Sequence, residues 1–478
     1  MERSVFDRIL DPANRPDPYR LYAELREIPV RREADGTYVV STYREIVDLL
    51  HDPRVSSDEH AARCAPGSAP EDEQVPDDEL APDDELTEPE AGTASGQEDE
   101  HLASFIRHDP PEHDRLRGLM ARHFGPPHTP RRIDDMEPEL VEIVTGLVDD
   151  FPAASDGSAS NQVDLVDAFA YPFPVTVICR LLGVPTEDEP KFRVWTAALL
   201  ESIGPRGGER SEASDLRRKR IEAVAELERY LGGLADVRRD RPGDDLLSTL
   251  VVEEVERGRM TRAELLSNAA LLLFAGHETT VNLIANGMLT LLRHPDLLRR
   301  LRNEPDLGIW VVEELLRYEP PVHFLPERVA LADIDVGGTT IPEGAAITLA
   351  LAAGSRDPAH VRDPDRFDPD RFHPDRYGED RAGTEHLGFG GGIHYCFGAP
   401  LARLEARVAL TALARRLENP RLAADPPSYR PNAVLRGPRH LEVAYDRLLA
   451  AQPAEPWPGV PQARRPIEEA ADQAARPR

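Results

Sequence analysis

The sequence predicts a mainly helical chain with small β-sheets, an α+β fold, on three observations. A capping box, Thr261-Arg262-Ala263-Glu264, opens an apolar pattern that runs to Arg293 and stops before His294-Pro295. About thirty helical residues at 1.5 Å each reach roughly 45 Å, enough to cross a whole domain. Other helical periods flank this one, whereas the extended segments are short and paired around turn residues such as Asp35-Gly36 and Gly337-Gly338.

The totals exclude several function classes. With 478 residues, 40% of them hydrophobic, the chain can bury a large core. Its net charge of −30 speaks against nucleic acid or an anionic membrane as a partner. No apolar run is long enough to span a membrane. The start, Met-Glu-Arg-Ser-Val-Phe-Asp, lacks the basic and apolar regions of a signal peptide, so a cytoplasmic monomer is expected. Three cysteines, Cys64, Cys179 and Cys396, are too few and too scattered for a disulfide framework. Cys179 follows the apolar run Val175-Thr176-Val177-Ile178 and reads as a core thiol, and Cys64, at the edge of a polar segment, as exposed and idle.

Along the chain, Pro18 to Leu25 and Tyr43 to His51 read as short amphipathic helices, with Val30-Arg31-Arg32 and Thr37-Tyr38-Val39-Val40 as a hairpin between them. From Ala65 to Glu100 the composition changes. Val75-Pro-Asp-Asp-Glu-Leu80 repeats at once as Ala81-Pro-Asp-Asp-Glu-Leu86, no base occurs, and roughly half of the net charge falls here. Such a segment buries too little apolar surface to order itself and is expected to be disordered. A plain solvated insertion and a gating or docking element are both open. Pro110 and Pro111 then start a helix through about Phe124, on which His113 and Arg117 share one face, either solvated or facing a site.

Val163 to Gly183 is expected as a mostly buried helix stopped by Gly183-Val184-Pro185, and two further helices flank the polar loop 204–209. In the middle of the long helix, His277, Glu278, Thr279 and Thr280 interrupt the apolar pattern. Buried polar groups are costly unless paired or used. These four either bond back to helix carbonyls or serve a site, and Ala275-Gly276 leave backbone uncovered for a flat ligand. Trp310 to Arg317 is helical, with Glu314 and Arg317 at the spacing of a common surface ion pair. Ile334 to Pro342 and Ala346 to Ala350 read as strands, and Asn432 to Leu435 with His440 to Val443 as a last hairpin. A Pro/Ala-rich tail, 446–478, is expected to be disordered.

The stretch Phe389-Gly390-Gly391-Gly392-Ile393-His394-Tyr395-Cys396-Phe397-Gly398 carries the most chemistry. Glycine lets backbone approach a bulky ligand and adopt positive φ. Ala399 to Arg416 reads as a helix with Pro400 in its first turn, so Cys396 lies by a helix N-terminus, where thiolate is favoured. A lone thiolate on a glycine loop suits a haem iron. Zinc would need more Cys or His than His394 nearby, and a phosphate loop would need Gly-Lys-Ser/Thr. On composition alone an inert thiol is the alternative.

That stretch matches F-G-x-G-x-H-x-C-x-G at every fixed position. By it the chain resembles the cytochrome P450 family in its soluble bacterial, actinobacterial type. The resemblance implies the haem-thiolate fold as one domain over 11–445, with Cys396 as the axial ligand of heme b and Phe389 and His394 beside the cofactor. Ala275 to Thr280 is similar to A-G-x-[DE]-T-[ST], which implies Gly276 at the haem and Glu278 and Thr279 as the acid–alcohol pair that delivers protons to dioxygen. His113 and Arg117 match H-x-x-x-R, a propionate contact joined by Arg328. Glu314 and Arg317 match ExxR and, with Arg371, imply a structural triad, while Val322, His323 and Phe324 are expected to line the substrate pocket. The acidic insertion falls in the loop between the family's B and C helices.

The function so implied is a monooxygenase that inserts one oxygen atom from O2 into a small, largely apolar organic substrate, in secondary metabolism or xenobiotic oxidation. The sequence has no flavin or nicotinamide fingerprint and no iron–sulfur cysteine cluster. Electrons are therefore expected from separate proteins, which the resemblance implies are a ferredoxin and ferredoxin reductase fed by NAD(P)H, docking on a basic patch that includes Arg115, Arg122 and Arg403. An oxidative coupling enzyme of the same family is an alternative, as is a non-catalytic haem protein, against which Glu278-Thr279 counts.

Overall fold

The computed structural model describes residues 3–58, 104–124, 132–152, 161–202, 210–373 and 385–451. The acidic insertion, Cys64, the loop 204–209 and the tail beyond 451 lie outside the described residues. The first elements are α1 (Val5–Leu10), α2 (Tyr19–Leu25), β1 (Val30–Arg32), β2 (Tyr38–Val40), α3 (Tyr43–His51) and β3 (Val55–Ser56). A helical run follows: α4 (Glu112–Phe124), α5 (Glu137–Asp149), then strand β4 (Asn161–Asp164), α6 (Pro172–Leu182), α7 (Glu189–Ser202) and α8 (Arg210–Asp240). Next come α9 (Leu246–Leu250), α10 (Arg262–Arg293), α11 (Pro295–Asn303) and α12 (Gly308–Tyr318). The strands β5 (Leu325–Ala330), β6 (Ile334–Val336), β7 (Thr339–Ile341) and β8 (Ala346–Leu349) precede α13 (Leu351–Gly354) and α14 (Ala399–Arg416). The chain closes with β9 (Arg421–Leu422) and β10 (Glu442–Tyr445).

The long helix begins where the capping box places it. Thr261 accepts from the Glu264 N–H at 3.1 Å, and the Glu264 carboxylate accepts from the Thr261 N–H at 2.7 Å. A helix apolar on nearly all sides must be wrapped. The main core does so with Leu119 and Met120 of α4, Val144 of α5, Phe173 and Ile178 of α6, Leu231 of α8, Leu315 of α12 and Leu410 of α14. Gly287 shows how tightly: a Cβ there would lie 2.9 Å from both Leu315 and Leu410. None of the described helices is long and apolar enough to cross a membrane.

The five-stranded sheet, in the order β1-β2-β8-β5-β3, forms a side layer. Its hairpin β1–β2 forms as expected, Val30 opposite Val40, with Gly36 at a φ of +91° in the turn. The strand β2 then pairs in parallel with β8, Tyr38 against Ile347. A second cluster joins Phe6, Ile9, Tyr22 and Leu25 of the first two helices to Phe324 and Ala352.

Two local expectations change. Val163 lies in β4, paired with β10, and helix begins only after it, with a π-helical turn over Val166–Ala170 leading into α6 at Pro172. The alternation is one of burial, Asn161 and Val163 inward and Gln162 and Asp164 not, and it is imposed by pairing with β10, while Pro172 suits a first helical turn. Gly183 ends that helix at a φ of +69°, as expected. The last hairpin is also rebuilt, because β10 pairs with β4 and β9 rather than with 432–435. Asn432 Oδ1 instead accepts from the N–H groups of Val434 and Leu435 at 2.8 and 2.9 Å, turning the chain, and a Tyr429–Pro438 bridge closes the loop behind it.

Candidate functional site

The cysteine loop is closed by its own backbone. The Cys396 N–H donates to the Phe389 carbonyl at 2.9 Å. Gly390 and Gly392 take φ of +68° and +62°, and a Cβ on Gly392 would sit 1.9 Å from the Leu50 carbonyl oxygen. The sulfur accepts from the N–H groups of Gly398 and Ala399, where α14 begins. Burial pushes the thiol up, and the Gly398 N–H, Arg117, Arg403 and the Ala399 N–H only partly offset it. The helix terminus thus acts in the expected direction, and burial outweighs it.

Below the loop, the Arg403 guanidinium lies 4.5 Å from the centre of the Phe389 ring and donates to Glu313 at 2.5 and 3.1 Å and to the Tyr395 hydroxyl at 3.1 Å. His386 lies 3.1 Å from the same carboxylate. Burial raises the Glu313 carboxyl, but Arg403 and His386 more than reverse this and hold it well below the usual carboxylate range. Arg403 is therefore engaged inside the loop support rather than offered as a docking charge. Arg115 likewise pairs with Glu112 at 2.7 Å and with Glu264. Of the three arginines expected in a docking patch, Arg122 is the exposed one with no such pairing to Glu112, Glu264 or Glu313.

Above the loop, two histidines meet edge to face. The rings of His113 on α4 and His394 are 4.6 Å apart. His113 Nδ1 lies 2.8 Å from Asp114 and His394 Nε2 lies 2.8 Å from the Ser57 hydroxyl. Their other ring nitrogens, His113 Nε2 and His394 Nδ1, are buried without a partner. Burial, then Arg328, His113 and Arg117, push the His394 imidazole down to about 3. Arg117 also donates to the Tyr395 carbonyl at 2.7 Å. Orphaned nitrogens among arginines call for an anion with several acceptors, and the two carboxylates of haem fit that need. Phe105 links this region to the long helix: its N–H donates to Asn268 Oδ1 at 3.1 Å, and its ring lies 5.6 Å from Phe397.

On α10, Ala275 is exposed, as otherwise only the end residues Arg262 and Arg293 are. At Gly276 a Cβ would meet Ile178, 3.2 Å away, so the absence of a side chain there also admits α6. Thr279 and Thr280 donate back to the carbonyls of Ala275 and Gly276 at 2.8 and 3.1 Å. Glu278 is 3% exposed and paired with Arg430. His277, buried beside it, is pushed down to about 4 by burial and by the Arg430 charge, so it is neutral. The acid and the alcohol are thus neighbours in sequence, each engaged elsewhere.

Glu314 and Arg317 form a buried pair, and the Asp368 N–H donates to Glu314 at 2.8 Å. Arg317 donates to the carbonyls of Pro364 and Arg366 at 2.8 and 3.1 Å. Arg371 lies 3.7 Å from Glu314 and donates to the Arg362 carbonyl at 2.7 Å. The three side chains meet in one cluster around the segment 362–368.

The expected pocket residues separate. His323 lies 2.6 Å from the Tyr22 hydroxyl, and Phe324 packs on Phe6 at 5.5 Å, both inside the N-terminal cluster. They are core rather than lining, because Tyr22 takes both, His323 through its hydroxyl and Phe324 ring to ring at 5.9 Å. Val322, half-buried and bridged to Leu435, is the one of the three still open to a lining role. Arg430 and Glu313 escaped the sequence reading, since no spacing ties residue 278 to 430 or 313 to 403.

A family model described as Cytochrome P450 matches residues 210–444. The cytochrome P450 monooxygenase PikC of Streptomyces venezuelae is 42% identical over 439 residues, covering 90% of this chain and 92% of its own. The 6-deoxyerythronolide B hydroxylase of Saccharopolyspora erythraea is 36% identical over 440 residues, covering 90% and 96%. The ligand-free crystal structure of Mycobacterium smegmatis CYP164A2 is 40% identical with a TM-score of 0.74, covering 92% and 99%. A glycine-lined cysteine loop, two orphaned histidine nitrogens among arginines and this likeness along most of the chain agree, and the chain belongs to the cytochrome P450 family.

Proposed function

We propose that this monooxygenase inserts one oxygen atom from O2 into a small, largely apolar organic molecule. Cys396 would hold the heme b iron, and His113, His394, Arg117 and Arg328 its carboxylates. Bound haem supplies the iron at which dioxygen is activated, with thiolate donation favouring O–O cleavage.

The chain's own groups do the rest. Thr279, half-buried one position after Glu278, carries a hydroxyl proton that it lends to the Ala275 carbonyl at rest. Turning that hydroxyl outward frees it to pass a proton, with Glu278 replacing it from the side of Arg430. The surrounding apolar side chains keep bulk water from short-circuiting the transfer.

The observation that carries this reading is the pair of unpartnered nitrogens, His113 Nε2 and His394 Nδ1, beside the cysteine loop. A substrate of macrolide or comparable size is supported by the relatives, one of which is named for hydroxylating 6-deoxyerythronolide B. Electrons come from a ferredoxin and its reductase. The test is a reconstituted reaction with a ferredoxin system and a panel of macrolides. Product heavier by one oxygen, with ligand-induced change of the haem spectrum, is expected from the parent and not from Cys396→Ala. Coupled products without added oxygen would overturn oxygen insertion.

A further inference from the structure

Three polar residues of α10, Glu278, Asn282 and Asn286, stand at four-residue steps and so share one face. Each meets the loop that doubles back before β10. Glu278 pairs with Arg430, a Cβ on Gly437 would fall 2.0 Å from Asn282 Oδ1, and Asn286 donates to the Arg436 carbonyl at 2.9 Å. The loop is itself braced: the Arg439 N–H donates to the Ser428 carbonyl at 2.8 Å and the Arg430 N–H to the Gly437 carbonyl at 3.3 Å. Its far side touches the expected pocket edge through the Leu435–Val322 bridge.

We propose that Arg430 is a positioning residue, which holds the Glu278 carboxylate against this loop and away from Thr279, so that seating of substrate at Val322 and Leu435 is coupled to release of the acid. The proposal rests on the reading of Glu278 as the proton-relay acid. A carboxylate 3% exposed needs a cation. His277 does not supply one: it is neutral, its ring also bonds the Leu273 carbonyl, and its unpartnered Nε2 faces Glu278 Oε2 across 3.7 Å. Tyr171, Arg193, Asp167 and Arg439 surround Arg430, and burial is the largest influence on it. Arg430 thus links the acid to the surface through a side chain that is itself still partly exposed.

The experiment uses the haem-loaded protein. In the resting ferric state, the side-chain N–H resonance of Arg430, assigned by its loss in Arg430→Lys, is expected to move in Glu278→Gln and again when a spin-shifting ligand binds. In turnover, Arg430→Ala is expected to raise substrate-free consumption of NAD(P)H by ~10-fold with little change in KM, and Arg430→Lys to restore most of the restraint. Arg430→Ala added to Glu278→Gln is expected to cost nothing further. A resonance unmoved by Glu278→Gln, or additive losses in the double variant, overturns the proposal. If Glu278→Gln itself leaves coupling and solvent isotope effect unchanged, the relay reading fails instead, and this inference with it; a Glu278 effect without an Arg430 effect sinks only the inference.

Discussion

Arg317 grips Glu314 with two hydrogen bonds, Nη2 to Oε1 at 2.7 Å and Nε to Oε2 at 2.8 Å, and neither side chain has any solvent exposure. Removing one partner of such a pair leaves a charge stranded in a low-dielectric interior. Glu314→Ala is expected to cost about 3–5 kcal/mol in denaturant unfolding and to reduce the haem retained through purification. Arg317→Lys is expected to fall nearly as far, because one ammonium cannot reproduce the planar fork that also reaches the Pro364 and Arg366 carbonyls.

Gly392→Ala tests the cysteine loop. The substitution combines a φ of +62° with a methyl group 1.9 Å from the Leu50 carbonyl oxygen, and backbone cannot swing aside as a side chain can. The loop is expected to be displaced, at a cost of at least about 1–3 kcal/mol. Far-ultraviolet circular dichroism should stay near that of the parent while haem content falls. Gly398→Ala, with nothing within 4 Å of its Cβ position and no positive φ, is the matched control.

His277 gives a pH dependence with a definite sign. Its imidazole is pushed from the ordinary value of 6.5 down to about 4 by burial and by Arg430. Between those values the unfolded chain binds a proton that the folded protein refuses, so stability rises with pH there. The contribution is complete above about 6.5 and is lost as pH falls toward about 4, at most ~3 kcal/mol for a shift of this size. In His277→Gln the loss of stability between pH 6.5 and 4 should be shallower by up to that amount, measured by urea unfolding at each pH. An unchanged slope would remove His277 from the account.

Loss of the anion-binding groups should weaken haem binding without unfolding the protein. Each charged hydrogen bond is worth about 1.5–3 kcal/mol. Arg117→Leu is therefore expected to speed haem transfer to a haem-free acceptor protein by roughly 10–100-fold. His113→Phe should act less, since it removes one ring nitrogen, Nε2, rather than a guanidinium fork.

How much of this could be read from the sequence depends on how local the cause is. The span of α10 was legible because Thr261 and Glu264 cap each other three residues apart, and the hairpin β1–β2 because Gly36 sits at its turn. The Glu314–Arg317 pair was legible for the same reason, although its burial was not, since α12 looks like a surface helix until α14 and the segment 362–368 cover it. Val163 was misread as helix because its strand exists only through β10, nearly three hundred residues later. His323 and Phe324 were misplaced because the groups that bury them, Tyr22 and Phe6, come from the other end of the sequence. Arg430 was invisible: nothing near it in sequence announces a carboxylate on α10.

The parallel pairing of β2 with β8 has a consequence for synthesis. Tyr38, Val39 and Val40 wait for Ile347, Thr348 and Leu349, which leave the ribosome roughly 15–60 s later at 5–20 residues per second. Throughout that interval the nascent amino-terminal hairpin shows an unpaired edge rich in valine and tyrosine, the kind of surface that sticks to other chains. Slower translation of the middle of the message should therefore lower the soluble yield, and a holdase supplied early should restore it.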